Sequence, residues 1–167
     1  HTRYWRDWSA DVCSSDARGV AHLRLNRPDK HNAMSAAMIA ELSQAAGQLT
    51  ADPSVRVVVL GAEGASFCAG GALAWMRAQM QADRATRMRE ATALAQMLGA
   101  RDRRPQPVIG EVQGNACGGG VGLICVCDVA YGVETARFAL TETRLGLIPA
   151  TIGPYVLARL DAGRARR

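Results

Sequence analysis

Lysine is almost missing from this chain: Lys30 stands alone among twenty basic residues. Aromatic residues are nearly as sparse, at 5%. The core must therefore be packed from Ala, Val, Leu and Met, and no basic stripe is interleaved with stacking aromatics as a nucleic-acid surface would require. Long apolar runs are also lacking. Gly, Pro, Asp or Arg breaks each one well before the roughly 18–20 residues of a membrane-spanning helix. The five cysteines, at positions 13, 68, 117, 125 and 127, include no CxxC pair and have no histidine cluster beside them. That spacing excludes a zinc site and a disulfide framework; they read as small buried hydrophobes of a reducing, cytoplasmic setting. The opening residues have no apolar stretch of the kind a secretory signal carries.

What is present is enough for one core. The chain has 167 residues, 49% of them hydrophobic, and a formal net charge of +5. Arg164, Arg166 and Arg167 crowd the last four positions, and most other bases alternate with acids. This distribution argues against nucleic-acid and membrane partners. Arg27, Lys30 and Arg104 are left as candidates for a phosphate-bearing small ligand.

Residues 1–15 show neither helical nor strand periodicity and read as an unrelated or disordered leader. Val20 to Leu25 then alternates as a strand should, and Asn26-Arg27-Pro28-Asp29 is turn chemistry. Ser35 is placed to cap a helix whose apolar residues Met38, Ile39, Leu42, Ala45, Ala46 and Leu49 share one face; Asp52-Pro53 ends it. The β-branched run Val55–Leu60 predicts a parallel strand buried on both faces. A Gly- and Ala-rich loop from Gly61 to Gly71 follows, then helix from Leu73 to Leu98 with a break near Asp83. A polar connection, Arg101–Pro107, leads to a strand at Val108 and a turn at Gly114-Asn115-Ala116. A helix opens at Gly118 and runs to Cys125. Strands at Asp128–Val133 and Arg137–Ala139 and a last helix at Thr151–Leu160 complete an α/β pattern with right-handed crossovers.

Two glycine loops follow strands: Phe67-Cys68-Ala69-Gly70-Gly71 and Gly114 through Gly120. Where a loop enters a helix, its unpaired N–H groups face outward, and glycine lets an oxygen come close. The P-loop pattern fails because Val121-Gly122 stands where Lys-Ser/Thr is needed. The dinucleotide pattern fails at Leu123. Two N–H sources on two loops suit a developing oxyanion better than a phosphate.

These loops carry a resemblance. Phe67–Gly71 with Leu73, and Gly118-Gly119-Gly120 ending in Cys127-Asp128, look like the two signatures of the crotonase (enoyl-CoA hydratase/isomerase) superfamily. Asn26 through Ala33, Pro107-Val108-Ile109, Phe138 through Glu142 and Leu145 through Pro149 match in the same order. The resemblance implies a spiral of ββα units over residues 16–167, an N-terminal core without the C-terminal helical region. It implies that Gly71 and Gly119 donate the N–H bonds that hold a thioester oxygen. By the same resemblance, Lys30, His31, Ala33, Ala69, Gly70 and Gly118 lie along the CoA moiety. Glu142 matches one of two acid/base glutamates typical of hydratases; the other falls on Gly122. Ala72 stands where the family usually has Asp.

Gly120 through Leu123 and Thr141 through Ala150 look closest to methylglutaconyl-CoA and isohexenylglutaconyl-CoA hydratases. This implies hydration of an enoyl-CoA in leucine or acyclic-terpene breakdown, with Arg144 or Arg77 facing a distal carboxylate. Double-bond isomerisation by a lone Glu142, or acyl-CoA binding without catalysis, are the competing readings. The resemblance implies no metal and no cofactor apart from the CoA of the substrate. It also implies a homotrimer or hexamer for a full-length parent.

Overall fold

The computed structural model describes residues 10–13, 16, 18–102 and 104–166. Its main sheet has five strands in the order β1-β2-β3-β5-β7. They are β1 (Ala10–Cys13), β2 (Val20–Leu25), β3 (Val57–Ala62), β5 (Val108–Val112) and β7 (Val129–Gly132). All neighbours pair in parallel except β1, which runs antiparallel to β2 with Ala10 opposite Leu25. A second, inner sheet has three very short parallel strands, β4 (Ser66–Cys68), β6 (Asn115–Cys117) and β8 (Phe138–Ala139). Each repeat gives one strand to the first sheet and one to the second before entering its helical part. Thus β3 and β4 precede α2 (Leu73–Gln81) and α3 (Arg84–Asp102); β5 and β6 precede α4 (Gly119–Cys125); β7 and β8 precede α5 (Gly153–Ala165). The first repeat has only an isolated parallel bridge, Met34 to Gly71, between β2 and α1 (Ala36–Ala51). This is the expected spiral of ββα units.

Local sequence explains the best-read elements. In β2 burial alternates residue by residue, with Ala21, Leu23 and Leu25 fully buried. Ser35 caps α1 by accepting from the Met38 N–H at 3.3 Å, and the six residues of the apolar stripe are its buried face. Each large side chain in that stripe contributes about 1.5–3 kcal/mol by leaving water. The break near Asp83 falls between α2 and α3, where Asp83 Oδ1 accepts from the Thr86 N–H at 2.7 Å.

Several boundaries differ from the sequence reading. Strand β3 starts two residues later, because the Val55 and Arg56 N–H groups bond to Asp52 and Gly19 carbonyls before the ladder begins. The Gly61–Gly71 loop contains β4, and the expected turn at Asn115-Ala116 is β6; two- and three-residue strands are made by tertiary pairing and have no periodicity to read. Ala10–Cys13 pairs as β1, so the expected leader is not structureless there. Positions 1–9, 14 and 15 lie outside the described residues. The α3 helix runs on to Asp102 and buries Arg101, which is 2% exposed and whose guanidinium has no acceptor among the described residues. Burial lowers its pKa to about 10, so it stays charged at neutral pH.

Asn32 ties the loops together. It is fully buried, and its Nδ2 donates to the Glu63 and Ser66 carbonyls at 2.8 and 2.9 Å. Its Oδ1 accepts from the Arg27 N–H at 2.8 Å. Asn32→Ala leaves the Glu63 carbonyl and the Arg27 N–H unpaired, while the Ser66 carbonyl keeps its bond from Gln113 Nε2, and urea denaturation is expected to show a loss of about 2–4 kcal/mol. Burial also pushes the Cys68 and Cys127 thiols up to about 11. Both stay protonated near pH 8 and should resist iodoacetamide until urea unfolds the chain. Their contribution to stability is complete below the ordinary value of 9.0 and is lost as pH rises from there to about 11.

Candidate functional site

The inner sheet brings the two glycine loops to one place. Strand β4 leads into Ala69-Gly70-Gly71 and its parallel neighbour β6 leads into Gly118-Gly119. Gly70 has φ +89°, and a Cβ there would stand 3.0 Å from the Cys117 carbonyl oxygen. Only glycine lets the loops approach this closely. The Met34 bridge is made by Met34 N–H to Gly70 O at 2.7 Å and Ala72 N–H to Met34 O at 2.8 Å. That pattern leaves the N–H of Gly71 itself directed away from Met34. Gly119 is the first residue of α4, so its N–H has no carbonyl one turn back to bond. Gly118 is pinned by donating to the Ala139 carbonyl of β8 at 2.9 Å.

Both glycines line a cavity of about 440 Å³ together with Ala69, Gly70, Gly118 and Glu142. Its other walls are mostly apolar, including Met34, Trp75, Met76, Leu94, Leu145 and Ile152. Glu142 is the only carboxylate in that lining. It begins a 3-10 turn, Glu142–Leu145, closed by the Leu147 N–H donating to its carbonyl at 3.0 Å. Its Oε1 lies 2.8 Å from where a Cβ on Gly118 would stand, so the carboxylate rests against the second glycine loop. Its Oε2 is shielded from solvent and accepts no hydrogen bond within the described structure. Two directed N–H groups and one unengaged carboxylate in an apolar cavity can polarise a carbonyl and move a proton beside it.

Lys30, His31 and Ala33 are not in the cavity lining. They run beside it: the Ala69 N–H donates to the His31 carbonyl at 3.0 Å, and His31 Nδ1 lies 3.1 Å from Ser66 Oγ. Lys30 is exposed beside Asp29, at 3.9 Å. Arg27 donates to the Ala33 carbonyl at 3.1 Å, while Arg104 is half-buried and its guanidinium has no partner among the described residues. Arg144 lines the cavity and Arg77 does not.

Sequence reading missed Met34, Trp75 and Met76. Met34 had a signal, because it directly follows the matched Asn26–Ala33 segment. Trp75 also had one, as the only tryptophan outside the first fifteen residues. Gly122 has a packing reason: a Cβ there would stand 2.6 Å from Ile152 Cγ2. Ile152 fills the space that a second side chain would need.

The model for the enoyl-CoA hydratase/isomerase family matches residues 15–166. The chain belongs to this family. An enoyl-CoA hydratase of Alternaria alternata is 34% identical over 148 residues, covering 89% of this chain and 48% of that protein. The human mitochondrial Delta(3,5)-Delta(2,4)-dienoyl-CoA isomerase is 32% identical over 171 residues, covering 92% of this chain and 52% of that protein. Among solved structures, an enoyl-CoA hydratase from Shewanella pealeana superposes with a TM-score of 0.92 at 40% identity. That match covers 95% of this chain and 59% of the other. The chain thus spans about half the length of these curated relatives. Within the enoyl-CoA hydratase/isomerase fold, the Gly122–Ile152 contact is open to a direct test. Gly122→Ala is expected to cost about 1–3 kcal/mol by overpacking. Ile152→Ala also costs stability, because Ile152 is buried, but the double variant should lose less in urea melts than the two single losses together, giving a non-additive cycle.

Proposed function

We propose that the cavity binds an acyl-CoA thioester, that the Gly71 and Gly119 N–H groups hold its carbonyl oxygen as an enolate, and that Glu142 is the acid–base group. The observation carrying this reading is the Glu142 carboxylate beside the second glycine loop, whose Oε2 is shielded from solvent with no partner among the described residues. The first form of the reaction is hydration. Glu142 takes a proton from water as its oxygen bonds to the β carbon of a 2-enoyl thioester, and a proton then reaches the α carbon as the enolate collapses. Relatives named as hydratases support this form.

A single carboxylate in the cavity favours a second form. One base can remove a proton from the α carbon of a 3-enoyl thioester and return it to the γ carbon, moving the double bond without water. Arg144 bears on the acyl group: it lines the cavity and its guanidinium has no partner among the described residues. It would pair with a distal carboxylate such as that of a glutaconyl-type substrate. Ala69, Gly70 and Gly118 would flank the thioester, and Lys30, His31 and Ala33 the CoA moiety. Exposed Phe138, Leu140, Ile148 and Leu157 support assembly into a trimer or hexamer. No helix among the described residues is long and apolar enough to cross a membrane. The free cysteines fit a cytoplasmic setting.

The test offers purified protein a 2-enoyl-CoA and a 3-enoyl-CoA and follows the ultraviolet absorbance of the conjugated thioester. Loss of conjugation from the first supports hydration; gain from the second supports isomerisation. Glu142→Gln should lower kcat by about 10²–10⁴-fold in either case. Unchanged turnover in that variant would remove both forms. Arg144→Gln should raise KM for a carboxylate-bearing substrate about tenfold more than for its uncharged analogue.

A further inference from the structure

Helix α2 forms one side of the cavity, yet none of its residues is buried. It supplies Trp75 and Met76 to the lining. Trp75 Cζ3 lies 3.4 Å, and Met76 Sδ 3.2 Å, from where a Cβ on Gly71 would stand. These two side chains therefore pack against the Cα of Gly71. No α2 residue is fully buried, Trp75 packs partly buried against the core, and the helix starts without a side-chain cap. Among the described residues, one side-chain hydrogen bond joins α2 to the rest of the chain: Trp75 Nε1 donates to Glu90 Oε2 at 2.8 Å. Glu90 sits on α3, one turn before Leu94, which also lines the cavity. Glu90 itself is not in the lining.

We propose that Glu90 is a positioning residue that latches the Trp75 indole over Gly71 and thereby sets which acyl groups the cavity accepts. An indole has one N–H and two ring torsions, so a single partly buried, charge-assisted bond is enough to choose its orientation. With the latch closed, the ring is a fixed apolar wall beside the thioester end of the cavity. With the latch lost, no polar bond fixes the orientation of the indole, the ring turns, and the wall yields to bulkier acyl groups. Glu90 acts through Trp75 and does not touch the substrate. Its role in selectivity rests on the acyl-CoA reading above, whereas the latch itself does not.

The first measurement uses the ligand-free 167-residue chain. Hydrogen–deuterium exchange at α2 amides should quicken about tenfold in Glu90→Ala and in Trp75→Phe, which keeps the ring but loses the donor. Glu90→Gln keeps an acceptor and should restore most of the protection. Unchanged α2 exchange in Glu90→Ala overturns the latch. The second measurement compares kcat/KM for a four-carbon and a ten-carbon 2-enoyl-CoA. Each single variant should shift that ratio about fivefold toward the longer chain, and the double variant no further, because both remove one interaction. An unshifted ratio, or shifts that multiply in the double variant, overturns the selectivity role. Turnover of no enoyl-CoA by the wild type would instead count against the acyl-CoA reading, and the exchange data would decide the latch alone.

Discussion

Three strands of two or three residues each hold the geometry of this site. The pairing of β4 with β6, and of β6 with β8, brings two loops from positions fifty residues apart to a common edge. The candidate site hangs on that edge: Gly71 at the end of one loop, Gly119 at the end of the next, and Glu142 just beyond the third strand. The five-stranded sheet and the α1 stripe supply most of the apolar burial. Their task for function is to hold the inner strands in register to within the tolerance of a hydrogen bond.

The inner edge also explains why the donors are backbone groups. A side-chain donor would need room and would bring its own torsional freedom. Here the loops approach so closely that Gly70 meets the Cys117 carbonyl and Gly118 meets the Glu142 carboxylate. No Cβ fits at either contact without displacing a group that the site uses. The polarity of the cavity is thus concentrated in the main chain and one carboxylate, and the remaining lining is mostly apolar. Weakly competing surroundings make each of those few polar groups count for more.

The parts of the structure with local causes could be read from sequence. The Ser35 cap, the Met38–Leu49 stripe, the Asp83 break and the alternation of Val20–Leu25 each lie within a single element and follow from its own residues. The glycine loops could be picked out because each follows a strand, and the structure adds that both line one cavity. What escaped had non-local causes. The inner strands are too short to show a period, β1 exists only by pairing with β2, and Arg101 is buried by neighbours that its polar flanks do not announce. Trp75 reaches the site through a helix with no buried face, so no periodicity marked it. The match over residues 15–166 shows the enoyl-CoA hydratase/isomerase family. Trp75, Ile152 and Arg144 shape the walls of this chain's cavity.

The parallel pairing of the inner strands has a consequence for how the molecule comes into being. Parallel neighbours cannot be joined by a hairpin, and Cys68 meets Ala116 only after a long crossover has closed. Contacts of such separation are made late and slowly on the way to the native state. The Gly71 and Gly119 pair is then among the last features to come together. A partly folded chain would carry helix and outer sheet without the site, and binding competence would report on completion of folding itself.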